Sequence, residues 1–214
     1  MKSLFNIRTI AEIAVFAAIG YVLDLFAGVY SSPLFPSGGA IGIALVAVFI
    51  VSFRRGPVAG VITGLIMGLL DLADGFYAIA GDWWKAFIQV ALDYWLAYPL
   101  AGLAGVFYKE LKRDGVTLKR KMIFVVLGCL LGGLLKFLSH YLSGVLFWGD
   151  DASSFAWGLS ALNKWGYSFI YNIAYMAPSI VLSGGIMCLI VWKYPKFLLT
   201  DEKGTKEAQK EEKQ

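Results

Sequence analysis

The only histidine of the chain, His140, stands one helical turn after Lys136 in the segment KFLSHYLSGVLFWGDD, residues 136–151. Positions i and i+4 share a helix face, so the ammonium and the imidazole project together. In an otherwise apolar run such a pair is costly unless it faces a cavity or a partner, which makes it a candidate functional site. Trp148, Asp150 and Asp151 close the segment. A second apolar run, GDWWKAFIQVALDYWLAYPLAG, carries Asp93, with Gln89 one turn before it and Tyr94, Trp95 and Tyr98 after it. An uncompensated carboxylate at that depth is unfavourable, and Lys136 is the partner the sequence offers. Two readings stay open: an Asp–Lys pair that only ties two helices together, or a carboxylate kept for a cationic ligand.

Aromatic residues gather at the same boundary. Tyr167, Tyr171 and Tyr175 recur every four residues with Asn172 beside them, and Trp148, Trp157 and Trp165 lie close by in sequence. An interfacial aromatic belt accounts for Trp157 and Trp165. It does not account for a His, a Lys, an Asp and an Asn on three separate runs. Rings that stack on a cation, beside polar groups that read a hydrogen-bonding edge, suit a positively charged heteroaromatic solute.

The elements that must position these groups are membrane helices. The 214 residues are 58% hydrophobic and only 16% charged, with a mean hydropathy of +0.67, beyond the usual range of soluble domains. Six apolar runs are expected to span, at residues 7–28, 40–53, 58–73, 87–107, 123–147 and 167–192. The second and third, separated by RRGP, predict a tight hairpin with Pro57 in the first turn of the third helix. The first run is long enough to be a span in its own right, although AVFAA resembles a cleavage site. Lys2, Arg8, Arg54, Arg55, the block at 109–121 and the tail from Lys193 share one side, while Asp24, Asp71, Asp74, Asp82, Asp150 and Asp151 are assigned to the opposite loops. Basic loops mark the cytoplasmic side, so both termini are expected there. The chain divides into a six-helix domain, residues 1–198, and a polar, mixed-charge tail, residues 199–214, expected to be solvated.

Gly56, Gly60, Gly64 and Gly68 form a repeated GxxxG ridge on the third run, Gly128 and Gly132 repeat it on the fifth, and Ala11, Ala14 and Ala18 make a small-residue stripe on the first. Such ridges let a neighbouring backbone approach, within the chain or across a partner interface. Cys129 and Cys188 lie inside apolar runs and there is one His, so neither a disulfide framework nor a metal site is expected. No GxxxxGK[ST] loop is present, so the chain is not itself expected to hydrolyse ATP. Nucleic acid is not an expected partner, because the net charge of +4 resides in loops and tail.

The chain resembles the thiamine-specific substrate-binding subunits (S-components, the ThiT family) of energy-coupling-factor transporters. The resemblance rests on AVFAA, FPSGGAIGIALVAVFIVSFRRGPVAGVITG, IQVALDYWLAYPLAG, KFLSHYLSGVLFW and YSFIYN, which together reach nearly all of the chain except the tail. It implies an all-α, six-helix S-component fold in a bacterial plasma membrane, with a thiamine pocket near the extracellular side. It also implies that the protein is not an enzyme, needs no cofactor, and works with a scaffold subunit and two ATPases. Lys136, His140, Trp148, Tyr167, Asn172, Asp93 and Tyr94 correspond to pocket positions, with Trp148 stacking on a thiamine ring. Members that carry a Trp in the first outer loop have no Trp counterpart here, and Phe35 is matched in its place; Trp84 matches an aromatic ahead of the fourth helix. Ala14 and Ala18 match the AxxxA motif that docks on the scaffold. The competing reading is an autonomous ion-coupled transporter using Asp93, Lys136 and His140 as a relay, but the repeated, interrupted halves usual for one are not found in this sequence. A His–Asp intramembrane enzyme would need a second His, a metal cluster or an activated nucleophile.

Overall fold

Apolar sequence with no water to satisfy its backbone folds into helices, and the longest runs become the longest helices. In this computed structural model residues 6–36, 38–75, 78–79, 81–149 and 162–198 are described. They form α1 (Ile7–Ser31), α2 (Leu45–Arg55), α3 (Pro57–Asp74), α4 (Trp83–Lys112), α5 (Leu118–Trp148), α6 (Lys164–Lys193) and a final turn, α7 (Pro195–Leu198). The starts are capped as the residue types dictate. The side chains of Asn6, Asp82, Thr117 and Asn163 each accept from backbone N–H groups of the first turn, and Pro57 opens α3.

Five of these helices, α1, α3, α4, α5 and α6, are long and apolar enough to cross a membrane. The second expected span, at residues 40–53, is helical only from Leu45, and α2 has 11 residues. At about 1.5 Å per residue that is roughly 16 Å, about half of a bilayer core. The reason is visible in its surroundings. Every residue from Leu45 to Phe53 is buried, so this part of α2 is an inner helix enclosed by the others. The chain before it is held open by Gly38 and Gly39 at φ 93° and 95°, and this stretch faces the cavity described below.

The glycine ridges are where helices meet within the chain. A Cβ on Gly64 would collide with the Tyr98 carbonyl, one on Gly68 with the Tyr94 carbonyl, and one on Gly60 with the Ser52 side chain and the Gly102 carbonyl, so α3 rests directly on the backbone of α4 and against the Ser52 side chain of α2. Gly128 and Gly132 bring α5 against the carbonyls of Ala104 and Ala101 in the same way. Gly56 stands apart from this ridge: at φ 94° it ends α2 and opens α3. The outward faces carry exposed apolar side chains, among them Val15, Phe26, Leu134, Val181 and Leu189, as expected for surface that meets lipid.

The end of the bundle holding the basic residues is tied by ion pairs. Glu12 of α1 meets Arg54 at 2.8 Å and Arg55 at 2.6 Å. Lys112 donates to the Arg54 carbonyl at 2.7 Å, and Arg54 donates to the Phe197 carbonyl. Charged groups at this depth are thus held in a connected network rather than left single.

The close approach of α3 and α4 makes a direct prediction. Gly64→Ala should lower the unfolding free energy in detergent by about 2 kcal/mol or more, because the obstacle is backbone that cannot rotate away. Gly185→Ala, on a site with no atom near the added Cβ, should be neutral or stabilising by up to about 1 kcal/mol. Thermal unfolding of the two purified variants measures the difference.

Candidate ligand-binding cavity

A cavity of about 400 Å³ opens between the last turns of α1, α3 and α5, the first half of α4, the first half of α6 and residues 35–36 and 38–45. It lies at the end of the bundle away from the Arg54–Arg55 network. Its volume suits a small heteroaromatic molecule.

One wall is built by two local departures from α geometry. Residues Ala91–Leu96 of α4 and Gly144–Trp148 of α5 are wound as π-helix. Each wide turn admits an extra residue and changes the direction in which its side chains project, and such turns recur at functional sites. Here they turn Asp93 and Trp148 toward each other, with the indole Nε1 donating to the carboxylate at 3.5 Å. Gln89, one turn earlier and 1% exposed, donates from Nε2 to Asp93 at 2.7 Å. His140 Nδ1 stands 3.6 Å from the other Asp93 oxygen. Ser139 stabilises the irregular stretch by donating to the Leu92 carbonyl at 2.6 Å, so it ties α5 to α4 rather than bonding back to its own helix.

A second wall is the tyrosine stripe of α6. Tyr167 and Tyr171 stack at 5.9 Å between ring centroids, and Phe35 meets Tyr171 and Tyr175 edge-on at 5.9 and 5.5 Å. Tyr171 donates to the Gly38 carbonyl at 2.7 Å and Ser179 Oγ accepts from the Gly42 N–H at 3.0 Å, so α6 also fixes the segment leading into α2. Asn172 is engaged within its own helix. Its amide donates to the Ser168 carbonyl at 2.9 Å, and its oxygen accepts from the Tyr175 hydroxyl at 2.6 Å.

The third wall corrects the pairing expected from the sequence. Lys136 is 7% exposed, and it does not pair with Asp93. Its ammonium lies over the Tyr98 ring, 3.4 Å from the centroid, in the field of Asp24 and Asp71. The Tyr98 hydroxyl donates to Asp24, with Asp71 3.4 Å away. Lys136 and His140 share a helix face, yet one turn of rise is enough to give them different carboxylates. Asp24 and Asp71 are therefore not loop residues, as the charge count suggested, but belong to α1 and α3. Their spacing carried a readable signal. Asp24 continues the buried face Ile13, Ala17, Gly20, Ala27 of α1, and Asp71 follows Gly64 and Gly68 at helical intervals on the ridge that faces α4.

Phe35, Asp93, Tyr94, Lys136, His140, Trp148, Tyr167 and Asn172 all line this cavity, joined by Asp24, Asp71, Gln89 and Tyr98. Trp84 does not; it is 54% exposed and stacks on Phe87 at 5.6 Å. Ala14 and Ala18 lie on the outward surface of α1. Asp150, Asp151, Trp157 and the tail are outside the described residues.

Comparison with known proteins matches these features to one family. The family model described as thiamine transporter protein (Thia_YuaJ) matches residues 10–199. The thiamine transporter ThiT of Bacillus subtilis is 32% identical over 193 residues, covering 89% of this chain and 94% of the relative. ThiT of Lacticaseibacillus paracasei is 26% identical over 160 residues, covering 74% and 76%. The solved structure of ThiT from Listeria monocytogenes superimposes with a TM-score of 0.70 at 26% identity, covering 89% of this chain and 96% of the other. With its long apolar helices, the chain is a multi-pass protein of the bacterial cell membrane, and it belongs to the thiamine transporter family.

Proposed function

We propose that this chain binds thiamine in the cavity and serves as the substrate-binding subunit of an energy-coupling-factor importer. The observation that carries the reading is the facing pair of Trp148 and Asp93, an aromatic surface and a carboxylate brought to one wall of a cavity of suitable size. Thiamine joins a permanently cationic thiazolium to an aminopyrimidine. Trp148 would stack on one of these rings, and Asp93 would balance the thiazolium charge. Gln89, His140 and Trp148 all reach Asp93, so the carboxylate is positioned before ligand arrives and little ordering is left for binding. His140, Lys136, Tyr94 and Tyr167 would bond the pyrimidine and hydroxyethyl ends. Phe35 would close the aromatic lining, and Asn172 would act by holding the Tyr175 hydroxyl. Trp84, outside the cavity, has no part in this proposal.

Binding and release need no covalent step, so no enzymatic role is proposed. Energy would come from two partner ATPases through a scaffold subunit, since the chain carries no phosphate loop. The exposed Ala14–Ala18 stripe presents a surface on which a partner helix could pack closely. With the basic end of the bundle on the cytoplasmic side, the cavity would load from outside.

Tryptophan fluorescence of the purified protein titrated with thiamine tests this, with riboflavin and biotin as controls. Saturable quenching by thiamine alone is expected; the absence of a response, checked by calorimetry, would overturn the substrate. Trp148→Ala should weaken binding by about 1 kcal/mol or more, a factor of about five. Asp93→Asn should weaken it by about tenfold, as the loss of one charge-assisted contact predicts. Unchanged affinities would remove these residues from the site.

A further inference from the structure

The cavity holds more negative charge than its own structure requires. Among the described residues its lining includes Asp24, Asp71 and Asp93 against one ammonium, Lys136, and one imidazole, His140. His140 is spoken for by Asp93. On the wall beside Lys136 two carboxylates converge on the single hydroxyl of Tyr98, which can donate only one hydrogen. The Lys136 ammonium rests on the Tyr98 ring and makes no contact within ion-pair distance of a described carboxylate. One carboxylate would suffice to offset one lysine. A second is surplus negative charge at membrane depth, unfavourable unless a cation arrives to share the space.

Building on the thiamine reading, we propose that Asp24 and Asp71 are specificity-determining residues that make the cavity prefer the unphosphorylated cation to its phosphate ester. Free thiamine adds one positive charge to a cavity with an excess of carboxylate. Its monophosphate adds a phosphoryl group carrying about −1.5 to −2 at neutral pH. Asp93 lines one wall of the cavity and the Asp24–Asp71 pair another, so a phosphoryl group brings negative charge into a space already lined by carboxylates. Lys136 offers it one positive charge, but the two carboxylates acting on that ammonium outweigh it. A sheltered, low-dielectric site strengthens such repulsion relative to open water. A purely structural pair would leave the ratio of the two affinities where it was.

The experiment compares dissociation constants for thiamine, thiamine monophosphate and the neutral isostere in which a thiophene replaces the thiazolium. It uses the wild-type protein, Asp24→Asn, Asp71→Asn and the charge-retaining Asp71→Glu. Wild type should bind the ester and the neutral isostere each at least about tenfold more weakly than thiamine. Each Asn substitution should narrow the ester-to-thiamine ratio by about fivefold, and Asp71→Glu should leave it within about twofold of wild type. Because a ratio of affinities reports only on folded protein, a lower yield of a variant does not obscure it. A wild-type ratio near one overturns the proposal without any variant, as does a ratio unmoved in both Asn variants. Wild-type protein that fails to bind thiamine at all overturns the substrate assignment instead.

Discussion

A charge inside a bilayer must be enclosed, and the structure is arranged around that constraint. Asp24, Asp71, Asp93, Lys136 and His140 come from four different helices, and all of them line one cavity. Glu12, Arg54 and Arg55 solve the same problem at the opposite end by pairing with one another. The outward faces of the long helices carry exposed apolar side chains instead. The two ends differ in one respect that matters for function. The basic end is filled by its own ion pairs, whereas the acidic end encloses space.

Enclosure depends on how closely the backbones approach. Gly64 and Gly68 seat α3 on the carbonyls of α4, and Gly128 and Gly132 seat α5 on the same helix from another side. α4 is therefore gripped by two neighbours within and just beyond its π turn. The π turn at Ala91–Leu96 would be strained in isolation; here Ser139 satisfies one of its carbonyls, and the reward is the orientation of Asp93. The central helix α2, buried from Leu45 to Phe53, supplies the packing against which the longer helices close. Backbone contact, an irregular turn and a positioned carboxylate form a single chain of cause.

Most of the fold was legible because its signals are local. Long apolar runs, Pro57 after RRG and glycines four apart each point to helices and to their close packing in a membrane. The lining of the cavity was partly legible for the same reason, since Lys136, His140, Trp148 and the tyrosine stripe stand at helical intervals. Two features were not. Asp24 and Asp71 sit near the ends of apolar runs, where counting charges assigns them to loops and only the helical phase of their neighbours places them inside. The partner of Asp93 was misjudged because its direction depends on a π turn, which has no compositional signature. The 40–53 run shows a different limit: apolarity alone does not distinguish a short helix buried in protein from a span buried in lipid.

The central claim is that one cavity receives thiamine with a ring against Trp148 and its cation held between carboxylates. A crystal structure of the protein grown with saturating thiamine tests it most directly. The account predicts ligand density within the cavity, a ring in van der Waals contact with the Trp148 indole, and the thiazolium closer to Asp93 or to the Asp24–Asp71 pair than to Lys136. Thiamine bound elsewhere on the protein, or an empty cavity under those conditions, would contradict it.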